Sequence, residues 1–139
     1  MPCSYHFIGD RVLVCVFAGH YTLEETLANF KAGLDDPQAD GGAPVIIDVT
    51  GSETVKSADD FQRVVQELRR HPNFGGHIAV VASLDDPIRY GVSRQFASLT
   101  SLEGIPMEVC NSVSDALSWL MRQDVDPVPG KEAGQAESQ

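Results

Sequence analysis

The sequence predicts an α/β domain with a mixed, mostly parallel sheet and four helices, in the order β-β-α-β-α-β-α-β-α. Short apolar runs alternate along the chain with segments whose apolar residues recur at helical spacing. Consecutive strand-helix-strand units imply parallel strands joined by right-handed crossovers. A two-residue loop joins the first two strands, so we expect that pair to be antiparallel.

The first two strands are predicted over 4–8 and 11–17, separated by Gly9 and Asp10. A Gly-Asp loop supplies the positive φ that a tight hairpin needs. The second strand is apolar on both faces, so we expect it inside the sheet.

The first helix is predicted over about 22–35. Thr22 and Glu25 form a capping box, and leucine and phenylalanine recur behind it at helical spacing. A turn-forming stretch of Asp, Gly and Pro follows, and the apolar run 45–49 is predicted as a buried strand.

The pattern then repeats. We expect Ser57 to cap a second helix that ends at His71 and Pro72, ahead of a strand over 77–82. The glycine pair before this strand, at 75–76, is interpreted as a turn.

Asp85, Asp86 and Pro87 are predicted to form the first turn of a third helix. A short strand over 106–110 and a fourth helix capped by Ser112 complete the pattern.

We predict a single domain over 1–122 and a disordered acidic tail over 123–139. A chain of 139 residues suits one domain, and its 42% of hydrophobic residues suffice for a core. After Arg122 the residues are mainly polar or turn-forming and show no periodicity, which is typical of disorder.

The chain carries 20 acidic and 10 basic residues, a net charge of −10. This excess argues against nucleic acid and anionic membrane as partners, since both need clustered Lys and Arg. Acidic residues in predicted first helical turns oppose the helix dipole, and they are Glu24, Glu25, Asp59, Asp60, Asp85, Asp86 and Asp115. These turns should line one edge of the sheet and concentrate negative potential there.

The longest apolar run, 12–18, is too short to span a bilayer, so no membrane insertion is expected. Three cysteines without a C-x-x-C pattern and an N-terminus without a basic, apolar leader favour a reduced cytoplasmic protein. The sequence also lacks a phosphate-binding loop, a dinucleotide fingerprint, a nucleophile elbow and zinc-ligand spacing. We therefore predict no cofactor and no metal site.

The candidate contact residues gather where the predicted parallel strands end, the edge at which α/β folds place ligand-binding loops. They are His20, Tyr21, Thr50, Ser52, Ser57, Asp85 and Arg89, with Arg94 on the third helix. The carboxylate pairs nearby are interpreted as helix caps rather than as an acid-base pair. His71 and His77 flank turns and are expected to be solvated.

Four segments resemble the SpoIIAA-like family of the STAS superfamily, named for sulphate transporters and anti-sigma factor antagonists. They read VIIDVTG at 45–51, GHIAVVA at 76–82, YGVSRQF at 90–96 and DALSWL at 115–120. The resemblance extends over about 5–122. It implies a superhelical β/α domain used for regulation or binding, usually without enzymatic activity, and some relatives resemble lipid-binding modules.

In anti-sigma factor antagonists a serine at the start of the second helix is phosphorylated within a D-S-S-G-L pattern. In this chain Ser57 matches the first serine and Ala58 replaces the usual phospho-acceptor. A phosphate there would meet Asp59 and Asp60, and like charges repel. We therefore expect no phospho-serine switch and interpret Ser57 as a helix cap.

The leading hypothesis is a non-enzymatic STAS-type module that binds a protein partner or a small ligand through the loops after its strands. A partner of this acidic edge should present basic residues. A second hypothesis is a carrier of a small apolar ligand, which predicts a cavity under the third helix. A third is an enzyme that uses His20 as a base near Ser52 or Asp85. A homodimer is left open.

Overall fold

The computed structural model describes residues 2–9, 11–53, 57–102 and 104–125. Within these ranges the strands are β1 Cys3–Ile8, β2 Val12–Gly19, β3 Ala43–Ser52, β4 Phe74–Val81 and β5 Met107–Cys110. The helices are α1 Leu23–Asp35, α2 Ala58–Arg70, α3 Pro87–Leu102 and α4 Val113–Val125, with a short 3-10 helix over Pro37–Ala39.

The five strands form one sheet in the order β1-β2-β3-β4-β5. β1 pairs with β2 antiparallel, and the following pairs are parallel. Gly9 adopts a φ of 63° in the hairpin, which a residue without a Cβ adopts without strain. The mixed, mostly parallel sheet with four helices confirms the predicted fold class.

The helices lie on both faces of the sheet. Because the spatial order of the strands equals their chain order, right-handed crossovers place α1, α2 and α3 on the same face. These helices pack side by side, whereas α4 packs against β3, β4 and β5. Each face therefore has its own core.

Alternate residues of the strands supply the two cores. The core beneath α1 to α3 includes Leu13, Cys15, Phe17, Val45, Ile47, Ile78, Val80 and Met107. The core beneath α4 includes Val14, Ile46, Ala79, Ala116 and Leu120. Burial raises the pKa of the Cys15 thiol, so this cysteine remains protonated and packs as a small apolar residue, as predicted.

β3 and β4 each extend three residues beyond a predicted end, because they pair with neighbouring strands there. β4 begins at Phe74, and Gly75 lies so close to β3 that an added Cβ would be 2.6 Å from the Ala43 carbonyl carbon. The interpretation of Gly75 as a turn residue was therefore wrong. β3 continues to Ser52, which pairs with Gly19.

The helix termini follow the capping predictions at three of the four helices. The N-cap residues Thr22, Ser57 and Ser112 each accept a hydrogen bond from the backbone N–H three residues later. At α3, Pro87 lies in the first helical turn, as predicted, and the Asp86 carbonyl just before it accepts the Tyr90 N–H at 2.9 Å. Asp85 and Asp86 themselves precede the helix, in a turn held by Ser83, instead of lying in its first turn. α4 continues to Val125, three residues past the predicted domain end.

Candidate functional site

The carboxyl ends of β2, β3, β4 and β5 meet at one edge of the sheet because these strands are parallel. The N-termini of the four helices lie at the same edge. We call the surface formed by residues 20–25, 50–53, 57–60, 83–86 and 111–115 the carboxyl edge. It contains most of the contact residues that the sequence predicted.

A buried hydrogen bond joins two segments of the carboxyl edge. The hydroxyl groups of Tyr21 and Ser52 lie 2.7 Å apart, and both residues are buried. The Glu53 N–H donates to the Gly19 carbonyl at 2.8 Å, and the Tyr21 ring packs 5.2 Å from the ring of Phe17. Tyr21 and Ser52 therefore support the edge from inside, although the sequence placed them among the contact residues.

His20 lies on the outside of the same segment. Its Nε2 atom is 3.9 Å from Glu53 Oε1, and its side chain is 79% exposed. The nearby hydroxyl of Ser52 is buried and bonds with Tyr21. His20 thus lies beside a carboxylate, and Ser52 bonds with a phenol.

The two other predicted hydroxyl groups have local hydrogen bonds. Thr50 is exposed, and its hydroxyl donates to Asp48 Oδ1 at 2.7 Å. Ser57 Oγ accepts the Asp60 N–H at 3.1 Å, which confirms that Ser57 is a helix cap. Thr54, in the loop between these two residues, lies outside the described residues.

The turn between β4 and α3 presents a leucine to solvent. Ser83 accepts backbone N–H groups of Asp85 and Asp86, which fixes the turn. Leu84 at its tip is 58% exposed and lies beside the exposed Asp85. Sequence analysis missed Leu84, although an apolar residue between a predicted strand and a predicted helix was a signal for it.

The predicted arginines lie on α3. Arg94 is exposed there, while the side chain of Arg89 lies outside the described residues. Arg94 is a surface residue of the helix.

A groove of about 340 Å³ lies between α1 and α2, away from the carboxyl edge. Both helices begin at that edge, whereas the lining residues lie from the middle of α1 to its end and from the last turns of α2 onward, toward the opposite edge of the sheet. The apolar-ligand hypothesis had placed a cavity under the third helix instead. The groove is lined by Leu27, Ala28, Phe30, Lys31, Leu34, Glu67, Leu68, Arg70, His71 and Pro72.

A hydrogen-bond network closes one end of this groove. His71 Nδ1 accepts the Asn73 N–H, so its Nε2–H donates to Asp35 Oδ1 at 2.7 Å. The Lys31 hydrogen bond, followed by that of His71, lowers the pKa of the Asp35 carboxyl. The prediction that His71 is solvated was wrong, since its side chain is 16% exposed.

Among the described residues, no group of three or more His, Cys, Asp or Glu side chains is placed to hold a metal ion. None of the helices in that part of the chain is both long and apolar enough to cross a membrane.

Comparisons with known proteins find one similar architecture. No family model and no curated protein matches the chain. It resembles the crystal structure of an uncharacterized DUF3478-family protein with a SpoIIAA-like fold from Shewanella loihica PV-4, with a TM-score of 0.55 and 15% identity. The alignment covers 85% of this chain and 91% of that chain. The fold is SpoIIAA-like.

This SpoIIAA-like fold is the one that the sequence resemblance implied, and at this identity the similarity concerns the fold alone. Its carboxyl edge combines a hydrogen-bonded interior, made by Tyr21 and Ser52, with an exposed charged rim. Its hydroxyl groups already take part in hydrogen bonds within the domain.

Proposed function

We propose that this SpoIIAA-like domain is a non-enzymatic binding or regulatory module whose carboxyl edge contacts a protein partner in the cytoplasm. The observation that carries the proposal is the buried Tyr21–Ser52 hydrogen bond. It joins the segment after β2 to the last residue of β3 in a preformed platform, which lowers the entropy cost of ordering loops upon binding.

The chemistry of the platform favours a partner with a basic contact surface. Carboxylates of Glu24, Glu25, Asp59, Asp60 and Asp115 lie in first helical turns at this edge. Asp85 and Asp86 precede α3 at the same edge. Opposite charges across an interface favour association and specificity. Leu84 adds an exposed apolar side chain beside these acids.

The hydrogen bonds of the edge support binding rather than catalysis. A nucleophile and its base must lie within hydrogen-bond reach. Ser52 instead bonds with Tyr21, Thr50 with Asp48, and Ser57 with a helix N-terminus. His20 is exposed beside Glu53.

Affinity capture with the full chain tests the proposal. We expect one protein, identified by mass spectrometry, to be retained by the wild type and released by Leu84→Ser and by raised salt. Met121→Ser is the matched control, because Met121 is also largely exposed, at 66%, but lies on α4. Release by Met121→Ser but not by Leu84→Ser would contradict the proposed surface.

A further inference from the structure

The α1–α2 groove has an apolar floor and lies apart from the carboxyl edge. Phe30, Leu34 and Leu68 form the floor, with Leu27 and Pro72 beside them. Its volume, about 340 Å³, falls in the lower part of the range for small-molecule sites, roughly 300–1,000 Å³. The floor suits the apolar part of a small ligand.

Two exposed cations beside the groove, Lys31 and Arg70, can exchange their carboxylate partners for a ligand. Lys31 pairs with Asp35 and Arg70 pairs with Glu67, both within one helix and both at the surface. Each carboxylate has a second partner, since Asp35 also accepts from His71 at 2.7 Å and Glu67 lies 3.6 Å from Arg63. Either cation can therefore turn toward a ligand while its carboxylate keeps a partner.

The groove is lined by two cations, Lys31 and Arg70, and by one carboxylate, Glu67. Arg63, which lies 3.6 Å from Glu67, and Asp35, which pairs with Lys31, add one charge of each sign next to the lining. The groove therefore carries an excess of one positive charge, unlike the whole chain. Because the C-terminal dipoles of α1 and α2 oppose an anion, this small excess suits a monoanion rather than a phosphate dianion.

We infer that the groove binds an amphiphilic carboxylate, with its apolar chain on the floor and its carboxylate between Lys31 and Arg70. Arg70 can hold both carboxylate oxygens at once, a geometry that Arg favours. The inference is independent of the proposed function, because the groove and the carboxyl edge share no residue.

Titration of the ¹⁵N-labelled full chain with octanoate, followed by NMR, tests the inference. We expect saturable shifts centred on the backbone amides of Ala28, Lys31, Leu68 and Arg70. Octanol and octyltrimethylammonium, which share the chain but lack the negative charge, should bind at least about fivefold more weakly, since charge-assisted hydrogen bonds are the stronger ones.

Variants separate the two parts of the site. Lys31→Gln combined with Arg70→Gln should weaken octanoate binding at least about fivefold, while Arg94→Gln, an exposed arginine on α3, should not change it. Ala28→Trp, at an exposed helix position, should fill the groove and abolish binding without disturbing the core. Absent binding, equal binding of octanol, or wild-type affinity in the double variant would overturn the inference.

Discussion

The hydroxyl groups of Tyr21 and Ser52, 31 residues apart in the chain, lie 2.7 Å from each other inside the carboxyl edge. The bond fastens the segment before α1 to the end of β3. Tyr21→Phe and Ser52→Ala should each lower the free energy of unfolding by about 1 kcal/mol. Urea unfolding of both single variants and the double variant measures the coupling, which we expect to be roughly 0.5–1.5 kcal/mol. Additive effects would show that the two residues stabilise the edge separately.

The N-cap of α2 gives a second prediction. Ser57 Oγ accepts the Asp60 N–H, so Ser57→Ala should lower the free energy of unfolding by about 1 kcal/mol. Ser57→Asp should retain the cap, because aspartate is also a favoured N-cap residue. Thermal and urea unfolding of both variants and of the wild type measure these changes in the free energy of unfolding. An equal decrease in the free energy of unfolding in Ser57→Ala and Ser57→Asp would contradict the capping role.

Gly75 should tolerate no side chain. A Cβ at this position would lie 2.6 Å from the Ala43 carbonyl carbon and 2.7 Å from Pro44 N. Gly75→Ala should therefore cost about 2 kcal/mol of unfolding free energy, since β3 and β4 must separate. Gly91→Ala is the matched control in α3, where an added Cβ meets nothing within 4 Å. That control should stabilise the protein by roughly 0.5–1 kcal/mol.

The link between Asp35 and its two donors predicts an acid-dependent loss of stability. Lys31 first, then His71, lowers the pKa of Asp35 in the folded state, relative to about 3.9 in the unfolded chain. The unfolded state then binds more protons between these two pKa values, so the stabilisation is complete above pH ~4 and is lost as pH falls through the folded pKa.

Asp35→Asn isolates this contribution. We expect the wild type to be more stable than Asp35→Asn at pH ~5, with the difference shrinking as the pH falls below ~4. Urea unfolding of both proteins at a series of pH values measures this stability difference. A difference that grows toward low pH would reverse the expected sign.

The fold class could be predicted from the sequence because apolar periodicity and helix-capping residues, which are local features, indicate the order of strands and helices. Thr22, Ser57 and Ser112 cap their helices as their sequence context indicates. The start of β4 at Phe74 and the end of β3 at Ser52 depend on pairing with neighbouring strands, which a single sequence does not reveal.

The position of the carboxyl edge in the fold was predicted, but the contacts within it were not. Topology located the carboxyl edge, yet the burial of Tyr21 and Ser52 depends on a contact between distant segments. His71 was taken for a solvated residue because its partner Asp35 lies 36 residues away. The α1–α2 groove was missed because it forms where two helices pack, and periodicity describes each helix separately.

Photo-crosslinking in cells tests the central claim most directly. A benzoylphenylalanine replacing Leu84 at the carboxyl edge is compared with one replacing Met121 on α4, both being largely exposed. We expect position 84 to give a defined crosslink to one protein that presents Lys and Arg residues at its contact surface, and position 121 to give none. A defined crosslink at position 121 with none at position 84 would contradict the claim that the carboxyl edge is the binding surface.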